Sequence, residues 1–464
     1  MLHFTPFAPF FLVLVLIACC GIRGWMVAVG ASAFIQSAAP ILIAAGGRDS
    51  GLIPAYGLMF IGIGHVVWLQ LQRPAGPPRP RDASTTPILW LMAFTLVGVI
   101  GAALLPRIFE GHARVLAPAF GLDAGFTERV HPSGRNFIQS IYLLCNLGLV
   151  LICRWAIRSG RVSLELALRA LASGACLSAV IGLYQVAAFQ LGWPWPSDVI
   201  NSNSGVGQIY RQTAFGIQRM SATFLEPSLT GFHFVSAFAL FGIGLRYRVV
   251  GWMLIFCLLI STSSSAYAGL LLLFPVAILI YARQADGRAA LMLTVFALTL
   301  GSAWVVDQVW MDGAISSTFL TNKLSSTSGI DRTRTAQVAL DTARDSWGLG
   351  VGAGSSRVSG LPMTLLSTMG IPGLICIAGF LISLIRACLA RRDPAGNAFA
   401  LAIAALVIVW SLSIPDLALP YAWILCGLAC GLLSLRAGSP VAIPRTRSVP
   451  SPGAPLPEAA VYGL

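Results

Sequence analysis

Thirteen apolar stretches, nearly all without Asp or Glu, run through this chain at lengths close to one bilayer crossing. A hydrocarbon core of about 30 Å needs about 20 apolar residues in a helix. The stretches fall at about 5–22, 25–46, 52–71, 87–105, 138–157, 170–192, 228–245, 249–263, 265–282, 289–306, 361–385, 398–413 and 420–435. A β-barrel would instead alternate apolar and polar residues in ~10-residue segments, and no such alternation is present. Composition closes off a water-soluble surface: 10% of residues are charged, against about 25% in an ordinary soluble domain. The fold class is therefore an all-α polytopic membrane protein of about 12–13 transmembrane helices. It forms one integral membrane domain over 1–435, followed by a Pro-, Ser- and Ala-rich tail at 436–464 that reads as disordered and cytoplasmic.

The net charge of +13 does not point to nucleic acid. The positive residues lie in short stretches between apolar blocks and make no continuous patch. Their distribution instead orients the helices. Arg73, Arg79 and Arg81, then Arg154, Arg158, Arg161 and Arg169, then Arg246 and Arg248, then Arg386, Arg391 and Arg392, then Arg436, Arg445 and Arg447 fall in alternate connections. These are the expected cytoplasmic side. The other connections are nearly balanced, so the long loops at about 106–137, 193–227 and 307–360 are expected outside. An odd number of spans places the N-terminus outside as well. The ten cysteines lie in or beside apolar blocks and read as small buried hydrophobes.

Long loops in such a protein are where function is sought. The loop at 193–227 carries Arg211 and Arg219 and ends in Phe224-Leu-Glu226-Pro-Ser. Glu226 opens a helix with Pro227 in its first turn. His233 follows two turns later on nearly the same face. Glu226 could simply be a carboxylate favoured by the helix dipole, and His233 a hydrogen-bonded interior histidine. Loop 307–360 contains a helical stretch opening at Asp331, with Arg332, Arg334 and Arg344 on it and an expected apolar face of Ala336, Ala339, Leu340 and Ala343. Gly348, Gly350, Gly352 and Gly354 follow, then Arg357. The glycines permit a tight loop with exposed amides, and arginine forks beside it suit a phosphate or diphosphate without a metal. The competing reading is that these arginines only balance the aspartates of their own loop. No Asp-x-Asp or Glu-x-Asp pair occurs in an outside loop, so a metal-bridged diphosphate has no ligands to point to. No cofactor is expected. Loop 106–137, with His112, His131, Arg114, Arg129 and Arg135, reads as solvated.

These stretches resemble the O-antigen polymerase and ligase superfamily, membrane glycosyltransferases acting on undecaprenyl-diphosphate-linked glycans. Arg219 to Gly231 resembles that family's arginine followed by Phe-x-Glu-Pro-Ser. Leu258 to Leu271 resembles its serine-rich turn, with Ser264-Ser265 where the family often has Ser-Arg. Arg334 to Gly373 resembles its arginine, short helix, Gly-x-Gly-x-Gly and Gly-Ile-x-Gly, here Gly370-Ile-Pro-Gly373. The likeness covers about 210–385. It implies a metal-independent type-C glycosyltransferase fold, with a large periplasmic loop before the last three helices. It also implies a lipid diphosphate held by Arg219 and Arg334, with Arg332, Arg344 and Arg357 in support. Arg211 and His233 are further substrate-binding candidates from loop 193–227 and the helix after it. Glu226 is the expected acceptor positioner or base. The implied partners are the lipid-linked glycan, membrane lipids, a chain-length regulator and a flippase. The ligase branch relies on a histidine in the large loop, and 307–360 contains none. An exopolysaccharide or O-antigen polymerase is therefore expected, ahead of a ligase acting on lipid A core or a lipid-linked oligosaccharide flippase.

Overall fold

A computed structural model describes residues 2–45, 48–72, 82–116, 126–214, 217–283 and 327–435, with single positions between 290 and 308. Within these residues the chain is mostly helical. Eight helices are long and apolar enough to cross a membrane. They are α3 (Pro54–Leu71), α4 (Thr85–Ile108), α5 (Gly134–Arg158), α6 (Leu164–Leu191), α8 (Pro227–Ala237, continued by the π-helical Phe238–Gly244), α10 (Ser264–Ala282), α13 (Gly370–Ala390) and α14 (Pro394–Leu412). Three shorter apolar helices accompany them: α1 (Ala8–Cys19), α9 (Arg248–Ile260) and α15 (Pro420–Leu433). The remaining helices are α2 (Ile22–Ser32), α7 (Ser197–Ile200), α11 (Thr327–Asp345) and α12 (Leu361–Thr368). The expected span at 289–306 and the tail at 436–464 lie outside the described residues.

Why the helices pack is visible in their composition. α15 lies along α5, with Gly427 and Gly431 against Cys153, Val150 and Ile157, so side chains from one helix fill what the other leaves open. α2 rests on α6 through Gly30 and Gly174 in the same manner. The result is one continuous apolar core from Ala18 to Leu433.

Two expected spans are corrected. The stretch 25–46 is not one helix. α2 ends at Ser32, and residues 33–40 run as a buried connection into strand β2 (Ile41–Ala45). Apolar composition misleads here because the unwound backbone is paired by protein. Gln36 and Ser37 donate their amides to the Thr223 carbonyl at 2.9 and 3.0 Å, and Asn203 donates to the Ser37 carbonyl at 3.0 Å. Non-helical backbone is tolerated at membrane depth only when buried in this way. The stretch 361–385 is likewise two helices, α12 and α13, broken at Met369–Gly370, where Gly370 adopts a φ of +65°. Short sheets also interrupt the all-α expectation. β1 (Leu2–Phe4), β2 and β3 (Arg48–Gly51) form one antiparallel sheet; β4 (Arg114–Leu116) pairs with β5 (Thr127–Arg129), and β6 (Thr213–Ala214) with β7 (Ile217–Gln218).

Helix α5 has 25 residues, about 37 Å at 1.5 Å per residue, and separates two polar ends. At one, Asp82 accepts from Arg154 at 3.0 Å and Arg158 at 3.3 Å, and Ser84 bonds both Asp82 and Arg154. Burial pushes the Asp82 carboxyl up, but the Ser84 hydrogen bond and the two arginines outweigh it and hold the group below its ordinary range. A depressed folded value means this contribution is complete above the ordinary carboxylate range, near ~4, and is lost as pH falls through the folded value. Asp82→Asn leaves two part-buried arginines facing an uncharged amide. It is expected to cost about 3 kcal/mol and to flatten the acid side of a melting-temperature profile. An unchanged profile would remove this cluster from the stability account.

Candidate functional site

At the other end of α5, Asn136 donates to the Ala353 carbonyl and Ser355 hydroxyl, both at 2.8 Å. The segments 193–227, 346–360 and 413–419 meet in this region. Segment 219–226 does not lie on the surface. Gln185 of α6 accepts the amides of Ser221 and Ala222 at 2.9 Å each. Thr223 then reaches Ser178 at 2.6 Å and donates to the Phe34 carbonyl at 2.5 Å. Ser178 is near the midpoint of the 28-residue α6, so the motif dips into the protein before α8 starts. Glu226 sits at the N-terminus of α8 in extended conformation and accepts from the Ser228 hydroxyl.

Four charges alternate around this dip. Arg219 is half-buried and donates to Gln212 Oε1 at 2.9 Å. Its buried Nε has no partner among the described residues. Burial pulls its guanidinium below the ordinary value, opposed by the nearby Glu226 carboxylate and Tyr267 phenol. Arg357 donates from Nη2 to Asp416 Oδ2 at 2.9 Å, with each side chain about one-third exposed. Asp416 raises the Arg357 guanidinium above its ordinary value against the effect of burial, and Glu226 adds to the rise. Glu226 thus lies within the field of both arginines. Arg332 donates to the Leu412 carbonyl at 3.3 Å, four residues before Asp416 in the chain.

The expected residues therefore divide. Arg219, Glu226 and Arg357 come together, while Arg332 is held at Leu412. Arg334 lies two positions further on α11, exposed, with no hydrogen bond or ion pair among the described residues. Arg344 is exposed at the far end of α11 and faces Asp341 at 3.6 Å. Arg211 lies over the Tyr210 ring, 5.6 Å from its centroid, beside an open depression lined by Gln208, Ile209 and Tyr210. His233 is buried among aromatics, 4.2 Å between centroids from Phe224, with Nδ1 at 2.7 Å from the Leu229 carbonyl. Its Nε2 is buried without a partner among the described residues. Two further corrections concern α11. The helix begins at Thr327, so Asp331 lies within it and is not its opening residue. Leu340 is exposed; the buried face uses Ala339, Thr342, Ala343 and Ser346.

The glycine run is also different from expectation. Gly348, Gly350, Gly352 and Gly354 all have positive φ, which suits glycine. The amides from Gly348 to Gly352, however, are engaged within the protein. Gly348 donates to Ala343, Leu349 to Ser346, Val351 to Ser367 and Gly352 to Thr368, at 2.7 to 3.0 Å. Gly350 donates to the Ser346 hydroxyl at 3.1 Å. A Cβ on Gly350 would lie 2.6 Å from the backbone of Thr368 and Gly370, and one on Gly354 would lie 2.7 Å from the Arg135 carbonyl. The run is a strap threaded between helices, and Arg357 is the group it delivers.

Asp416 is the residue that motif reading missed. It stands in Ser413-Ile-Pro-Asp-Leu-Ala-Leu419, a short connection without a motif. The available signal was a lone charge between Pro415 and Pro420 in an outer loop. Neither a family model nor a curated protein sequence matches this chain.

Proposed function

We propose that this protein is a periplasm-facing polysaccharide polymerase of the bacterial inner membrane. It transfers a growing glycan from undecaprenyl diphosphate onto a lipid-linked repeat unit. The observation that carries the reading is that Arg219 and Arg357, from two separate segments, both lie in the field of the Glu226 carboxylate. In the reaction an acceptor hydroxyl oxygen bonds to the donor anomeric carbon as the bond to the diphosphate breaks. The bonding electrons leave with the undecaprenyl diphosphate, and the hydroxyl proton goes to Glu226. Guanidinium forks meet the charge that develops on the leaving diphosphate. Glu226, held by Ser228, orients the acceptor and takes its proton. Exposed Arg334, two positions along α11 from Arg332, supplies a further cation for incoming ligand.

A second reading has one observation behind it. The unwound segments 33–40 and 219–226 meet near the midpoint of α6, and broken helices at that depth are a feature of transporters. A lipid-linked glycan flippase would use them to pass a head group. Deleting the gene separates the two. Loss of a polymerase leaves single repeats displayed on the cell surface; loss of a flippase leaves none there. Returning the Arg219→Lys variant keeps the charge and removes the fork, and polymer should fall about 10-fold or more. Full-length polymer from that variant, or its presence in the deletion strain, would overturn the polymerase reading.

A further inference from the structure

The connection 413–419 is held far more firmly than its length requires. Three consecutive backbone carbonyls in it accept side-chain donors from four different places. Trp410 Nε1 of α14 donates to Asp416 O at 3.1 Å. Asn146 Nδ2 of α5 and Trp423 Nε1 of α15 donate to Leu417 O at 3.1 and 2.7 Å. Gln36 Nε2, from the unwound connection after α2, donates to Ala418 O at 3.3 Å. Trp410, Asn146, Trp423 and Gln36 are all buried. Asn146 is itself fixed by Tyr56, whose hydroxyl donates to its Oδ1 at 2.5 Å. A loop that only joined two helices would need none of this. What the arrangement presents to the site is one side chain, the Asp416 carboxylate, on Arg357 at 2.9 Å.

We propose that Asp416 is a positioning residue: its bracketed carboxylate fixes the Arg357 guanidinium in the orientation that receives the diphosphate. A long arginine side chain loses rotamer freedom when it binds an anion. Holding it beforehand removes that loss at the moment of binding. Asp416 therefore acts through Arg357 and touches neither the glycan nor the diphosphate. This rests on the diphosphate ligand of the polymerase reading, but not on glycan transfer itself.

The test uses the full-length protein in detergent or nanodiscs, with inorganic pyrophosphate as probe and melting temperature recorded for each variant. Asp416→Asn and Arg357→Ala should each weaken pyrophosphate binding about 10-fold. The double variant should be no weaker than either single one, because both remove the same positioned fork. Asp416→Glu, which keeps the charge, should stay within about 3-fold of the parent. Additive losses, tighter binding in Asp416→Asn, or a loss in Asp416→Glu equal to that in Asp416→Asn would each overturn the proposal. Coupled pyrophosphate binding in a protein whose deletion leaves cellular polymer intact would instead remove the polymerase reading and leave this assignment standing.

Discussion

Glu226→Gln is expected to lower polymer yield by at least about 100-fold, the scale of a lost general base, while lipid-linked single repeats persist. The substitution keeps the length and shape of the side chain and leaves an oxygen to accept from Ser228. It removes the proton acceptor and the counter-charge felt by both Arg219 and Arg357. Diphosphate binding should not weaken, since two cations lose a competing anion. A gel of cell-surface glycan, read beside the lipid-linked pool, makes the distinction. Normal polymer length would remove Glu226 from the chemistry; disappearance of the protein from the membrane would make it a structural residue.

Gly350→Ala should act on the fold and not on the chemistry. Positive φ costs a non-glycine residue roughly 1–2 kcal/mol. The added methyl would also press on the backbone of both Thr368 and Gly370 at 2.6 Å, neither of which can swing aside. A total of about 3 kcal/mol or more is expected, a large part of the ~5–15 kcal/mol that holds a typical protein folded. Gly348→Ala is the control. It has a similar φ but would meet only the Ile371 side chain, at 3.0 Å, so its loss should be smaller. Melting temperature and membrane abundance should fall in the order parent, Gly348→Ala, Gly350→Ala. A Gly350→Ala protein of normal stability but impaired pyrophosphate binding would restore the run as an anion-binding loop.

Hydropathy and arginine placement made most of the helices legible, because the bilayer constrains length and composition so strongly. They failed where the backbone leaves the helix under cover. Nothing in the apolar run 25–46 announces that Gln36 and Ser37 will pair with Thr223, since the partner lies far along the chain. The site was legible in the same partial way. Arg219 and Glu226 stand in one short motif, and their proximity follows from it. The approach of Arg357 depends on how the glycine strap threads between α4, α5 and α12, which spacing cannot convey. The motif singled out Arg334 over Arg332, yet it is Arg332 that reaches Leu412. Asp416 has no motif at all; its importance comes from the donors that converge on its neighbours.

The pairing of 33–40 with Thr223 also sets an order for biogenesis. At a synthesis rate of about 5–20 residues per second, the partner of Phe34, Gln36 and Ser37 leaves the ribosome roughly 10–40 seconds after they do. Until then the first helices cross the membrane with unpaired amides and carbonyls between them. Membrane quality control therefore has a defined interval in which to act, and insertion of α8 closes it. Chains truncated before residue 223 should be short-lived, however complete their early helices.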